Sequence, residues 1–127
     1  MILVDTSVLV DALTGHRHLL PALTSTVGRG ERLGIPALVL YEYLRGPRSA
    51  AEIAHQEDLL PADHALPFGA IEATIAARLY RVVPRARQRE FDIAIAAIAI
   101  AHDVRLWTAN TEDFRDIPGL QLYEAPA

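Results

Sequence analysis

The sequence contains no cysteine. Disulfide frameworks, thiolate metal sites, iron–sulfur clusters and cysteine nucleophiles are excluded together. Lysine is missing too: all 12 basic residues are arginine. Chemistry that needs an ε-amino group is therefore closed, including Walker-A phosphate binding and Schiff-base formation. No apolar run approaches the roughly 20 residues that cross a bilayer. The longest, Ile93 to Ala101, is bounded by Asp92 and His102. The opening residues Met1-Ile2-Leu3-Val4 carry no basic n-region and meet Asp5 at once, unlike a signal peptide. These absences predict a cytoplasmic protein without membrane association. A net charge of −4 excludes a uniformly basic nucleic-acid coat but leaves room for a local basic patch.

What is present points to one folded domain over residues 1–127. An apolar content of 51% against 22% charged residues supports a buried core and excludes a charge-driven disordered chain. Short apolar runs alternate with longer helical stretches, which predicts an α/β sandwich. The runs Ile2–Asp5, Arg32–Ile35, Ala65–Phe68, Val104–Thr108 and Leu120–Tyr123 are the expected strands. Helices are expected over Ser7–Leu13, Leu19–Val27, Pro36–Arg45, Ala50–Leu60, Gly69–Val83 and Glu90–His102. Ser49 followed by Glu52 has the spacing of a capping box.

Three acids stand in the most apolar parts of the chain. Asp5 closes the run Ile2-Leu3-Val4, Glu42 lies within Leu38–Leu44, and Asp92 opens the apolar helix Ile93–Ala101. An ionised carboxylate in such surroundings is costly unless something compensates it. Two of them at ~4 Å repel by about 4 kcal/mol at an effective dielectric of ~20. Three converging acids call for a cation, and hard oxygen ligands match Mg²⁺ or Mn²⁺. Ligands of open parallel sheets bind beyond the carboxyl ends of the strands. Asp5 ends the first strand, and Thr108, Asn110, Thr111 and Asp113 follow the fourth.

Each acid also has an ordinary role open to it. Asp5 suits a helix N-cap, Glu42 can pair with Arg45 at helical i+3 spacing, and Asp92 suits the first turn of a helix. All three sharing these apolar settings favours a common site.

Asp5-Thr6-Ser7, Glu42 with Arg45-Gly46, Asp92 through Ala97, and Thr108-x-Asn110-x-x-Asp113-Phe114 occur in that order. Together they resemble the motifs of PIN-domain ribonucleases, and more narrowly the VapC toxins of bacterial toxin–antitoxin pairs. The resemblance spans Met1 to about Tyr123. It implies a three-layer sandwich, with a central mostly parallel sheet flanked by helices, and a Mg²⁺- or Mn²⁺-dependent endoribonuclease. It gives metal-binding, catalytic roles to Asp5, Glu42 and Asp92. Asn110 stands where many members carry Asp; Asp113 ranks ahead of it as the fourth carboxylate, with Asn110 a neutral ligand or positioner. The resemblance also implies a homodimer and a small cognate antitoxin that masks the site.

Supporting roles follow from the same pattern. Ser7 and Thr108 are placed to orient an acid or a water, whereas Thr6 suits ordinary helix-start chemistry. Arg85, Arg87 and Arg89 precede Asp92, and Arg45 follows Glu42. Arginine binds phosphate bidentately without reading sequence, so these four are the expected RNA contacts. His16 and His18 fall in a turn and His55, His64 and His102 are scattered, which suits surface or structural roles. Two other classes compete. A non-catalytic PIN-like module that binds RNA or protein is opposed by the intact acids, and a phospho-receiving α/β domain by the missing lysine.

Overall fold

The computed structural model describes residues 1–126. A three-stranded parallel sheet forms its centre in the order β2-β1-β3. The strands are β1 (Ile2–Val4), β2 (Leu33–Gly34) and β3 (Arg105–Trp107). Leu3 pairs with Gly34 on one side and Leu106 on the other. Ile2, Leu3 and Val4 are fully buried because helices cover both faces, which explains their uninterrupted apolar run. The chain is therefore an α/β sandwich of the expected kind.

Among the described residues, six helices surround the sheet: α1 (Thr6–Leu13), α2 (Leu20–Gly28), α3 (Ala37–Arg45), α4 (Ala50–Leu59), α5 (Ala70–Val82) and α6 (Glu90–Ala101). Short 3₁₀ turns cover Ala62–His64, Ala86–Gln88 and Thr111–Asp113. The Ser49–Glu52 capping box starts α4 as the spacing predicts. Pro36 stands just outside α3, as its N-cap, so that helix begins one residue later than expected. Helix α6 runs through the centre, with Ile93, Ile95, Ala96, Ala97, Ile98 and Ala99 all buried. Its alanines let α5 and the sheet approach closely, and this holds Asp92 at the sheet's carboxyl edge.

Two expected strands shrink to single bridges. Ala65–Phe68 pairs through Leu66 with Pro36, just beyond β2. Helix α3 begins at Ala37, so the partner segment has no extended chain left to pair. Leu120–Tyr123 pairs only through Leu122 with Leu106. Leu106 is the middle residue of a three-residue strand, which leaves little ladder to join. Among the described residues, no helix is long and apolar enough to cross a membrane.

Candidate active site

Asp5 sits between the end of β1 and the start of α1. It occupies the N-cap position with extended backbone, but its side chain makes no capping hydrogen bond. Instead the carboxylate, 5% exposed, accepts two hydroxyl protons on Oδ2. Ser7 Oγ donates at 2.9 Å and Thr108 Oγ1 at 2.8 Å. Each hydroxyl has one proton to give, and each in turn accepts a backbone N–H, from Ala109 at 2.9 Å and Asn110 at 3.0 Å. The first turn of α1 and the loop after β3 are thus fastened to one carboxylate oxygen. Among the described residues, no hydrogen-bond donor reaches Oδ1.

Glu42 lies on α3, which packs against α1. Thr6 Oγ1 donates to its Oε1 at 2.8 Å. Thr6 is therefore a holder of this acid, which corrects its expected role as a simple helix-start residue. Arg45 stands 3.7 Å from Oε2, a loose i+3 pair with the arginine half exposed. The Arg45 guanidinium also lies 5.1 Å above the Tyr41 ring and 5.4 Å from that of Phe91. Tyr43, by contrast, is fully buried and donates to Glu52 O at 3.0 Å.

Asp92, in the first turn of α6, is the electrostatically strained acid. Burial, then the charges of Asp5, Asp113 and Glu42, push its carboxyl from 3.8 up to about 6, with Arg89 opposing. Four acids from four elements thus share one electrostatic neighbourhood. Asp5, Glu42, Asp92 and Asn110 line one cavity of about 610 Å³. Asp113 acts on Asp92 from beyond the lining, whereas Asn110 is on the wall. The order expected for these two candidates is thus reversed in proximity to the cavity.

Oxygen donors from carboxylates and an amide fit a hard divalent cation, and like charges held together favour one. Among the described residues, no three His, Asp or Glu side chains stand close enough together to hold a metal ion as they are. The donor chemistry fits; a closed coordination shell is not formed.

The other wall was not anticipated. The turn between α1 and α2 brings His16, Arg17 and His18 to the cavity, together with Val10, Asp11 and Thr14 of α1 and its C-cap. His16 and His18, expected in a turn with surface or structural roles, line the same cavity as the acids. A trace of this was present, since Ser7, Asp11 and Thr14 form a polar i, i+4, i+7 stripe opposite buried Val8, Leu9, Ala12 and Leu13.

The expected arginine run divides. Arg89 is occupied: Nη1 and Nη2 donate to both Asp116 oxygens at 3.1 and 2.6 Å, and further to Pro84 O and Asp113 O. It clamps the loop after β3 to the start of α6, and this occupies its Nη donors, the pair that would fork onto a phosphate. Arg85 and Arg87 are exposed.

Known proteins of similar sequence and fold identify the family. The PIN-domain family model matches residues 2–120. Ribonuclease VapC19 of Mycobacterium tuberculosis is 33% identical, over 95% of this chain and 98% of its own. The fold is similar to that of VapBC2 from Rickettsia felis, solved with a DNA fragment from their promoter, with a TM-score of 0.73, 20% identity and coverage of 97% and 98% of the two chains. It is also similar to a toxin–antitoxin complex from Klebsiella pneumoniae, with a TM-score of 0.70, 24% identity and coverage of 98% and 99%. A family model that matches nearly the whole chain and a relative aligned almost end to end lead to one conclusion: the chain belongs to the PIN-domain family, among the VapC ribonucleases.

Proposed function

We propose that the protein is the toxin of a toxin–antitoxin pair, an endoribonuclease that hydrolyses RNA phosphodiester bonds with Mg²⁺ or Mn²⁺. The observation that carries this reading is the raised carboxyl of Asp92, pressed by Asp5, Glu42 and Asp113 beside a cavity open to solvent. Asp5, Glu42 and Asp92 are the proposed metal-holding residues, with Asn110 on the wall and Asp113 within electrostatic reach. When bound, the ion would activate water and stabilise charge on the attacked phosphate.

The chain's own residues do the positioning. Ser7 and Thr108 hold Oδ2 of Asp5, which leaves Oδ1 without a hydrogen-bond donor among the described residues and makes it the proposed ligand atom. Thr6 holds one oxygen of Glu42 in the same way. Fixing both acids in advance removes their reorganisation from the reaction. Arg45, Arg85 and Arg87 are the proposed phosphate contacts around an otherwise repulsive site.

Partners follow from the same reading. The Klebsiella relative was solved as a toxin–antitoxin complex, which supports a cognate antitoxin here. Exposed Phe68 and Tyr80, which line one apolar groove between α5 and α6, support a homodimer contact. The proposed setting is the cytoplasm.

The test is cleavage of total RNA by wild type, Asp5→Asn and Asp92→Asn, in Mg²⁺, Mn²⁺ or EDTA. Cleavage by wild type with either ion, and by neither variant, is expected. Activity that survives chelation or either substitution overturns the mechanism.

A further inference from the structure

The α1–α2 turn faces the acids, yet the proposed chemistry gives it no task. His16, Arg17 and His18 are consecutive, exposed and all on the cavity wall. Arg17 adopts the left-handed region at φ 55, where an L residue is strained. That reversal brings its two neighbours to the same side, and their imidazoles stack with centroids 5.6 Å apart and planes 11° apart. The turn is pinned at both ends. Arg17 N donates to Thr14 O at 3.2 Å, Leu20 N donates to Arg17 O at 3.1 Å, and Leu19 N donates to Asp11 Oδ1 at 2.6 Å. Gly15, at φ 58, makes the other left-handed step without strain.

Its chemistry complements both the acids and a nucleic-acid strand. Among the described residues that line the cavity, Arg17 is the one arginine. A pair of parallel aromatic rings flanking an arginine in the chain, all three exposed on one cavity wall, offers a platform on which a nucleobase stacks and a cation for its phosphate. We infer that the His16–Arg17–His18 turn seats a nucleotide of the substrate: a base stacks on the outer imidazole face, and Arg17 binds a phosphate of the same strand. The inference rests on the nuclease reading and assigns residues to holding the strand that the acids cut.

Binding of a short fluorescein-labelled RNA of mixed sequence to the Asp92→Asn protein tests it, read by anisotropy in Mg²⁺. Replacing His16 and His18 together with alanine should weaken binding about tenfold. Phenylalanine at both positions should keep most of the affinity, because the rings remain. Arg17→Gly suits the left-handed backbone, so it should weaken binding and lower the salt slope by about one charge without loss of fold. In the cleaving wild-type background, the double alanine variant should raise KM and leave kcat nearly unchanged. Replacing His55 and His64, which lie off this cavity, should change nothing. Unchanged affinity and KM in the double alanine variant overturn the inference, as does a phenylalanine pair that binds as poorly as alanine. If wild type neither binds nor cuts RNA, the nuclease reading fails with it. If wild type cuts RNA and the turn variants behave like wild type, only the present inference fails.

Discussion

Thr108 and Asp5 lie 103 residues apart in sequence and 2.8 Å apart in space, where the threonine hydroxyl donates to Oδ2 of the acid. Through that bond the loop after β3 holds the carboxylate that ends β1. Thr6 holds Glu42 across 36 residues in the same manner. Groups that orient a ligand from behind commonly matter 10–100-fold to metal affinity or activity.

Thr108→Val should therefore lower RNA cleavage by about 10–100-fold while the protein stays folded. Thr6→Val should act similarly through Glu42. Single-turnover cleavage and circular dichroism, measured together, check this. Full activity in both variants would show that the acids need no holders.

Asp92 should make the metal-free protein more stable in mild acid. Its folded carboxyl titrates near 6, above its ordinary 3.8, so the native state binds a proton more readily than the unfolded chain between those values. Stability from this group is complete below about 4 and is lost as pH rises through about 6, a cost at neutral pH of about 3 kcal/mol before solvent screening of the half-buried carboxylate lowers it. Thermal melts between pH 4.5 and 7.5 in EDTA should show the decline, and Asp92→Asn should flatten it. A melting temperature that rises over that interval contradicts the assignment.

Magnesium should reverse the same cost. At a concentration 100 times its Kd, an ion bound only by the folded chain adds about 2.7 kcal/mol. The melting temperature should rise with Mg²⁺ or Mn²⁺ in wild type, and much less in Asp5→Asn. Equal melting with and without the ion in wild type would count against the metal reading.

Arg89 and Arg87 should separate by phenotype. Arg89→Ala removes a two-pronged hydrogen bond to Asp116 and two carbonyl contacts, and should cost about 1–3 kcal/mol of stability. Arg87→Ala, at an exposed position, should stay within about 0.5 kcal/mol of wild type and weaken RNA binding more at low salt than at high. Chemical denaturation and a salt series on binding measure the two effects.

Local pattern was a good guide wherever the physics is local. Ser49 and Glu52 mark the start of α4 because a capping box needs only its own first turn. The run Ile2–Val4 marks a central strand because burial on both faces leaves no polar position. Ala65–Phe68 and Leu120–Tyr123 misled, since apolar strand-like residues do not reveal how much ladder their partner offers. Arg89 misled for a related reason. Nothing adjacent to it signals Asp116, 27 residues on, which takes up its guanidinium.

Asp5, Glu42 and Asp92 were marked as unusual by sequence alone, because a charge inside an apolar run is conspicuous without knowledge of its partners. Folding decided the rest. The hydroxyl that holds each acid, the approach of Asn110 ahead of Asp113, and the turn of His16 to His18 over the cavity all depend on side chains meeting across distant segments. Burial cost belongs to a residue and its immediate neighbours in the chain. Hydrogen bonds and charge coupling belong to pairs, and these pairs exist only once the sheet has brought the ends of β1 and β3 side by side.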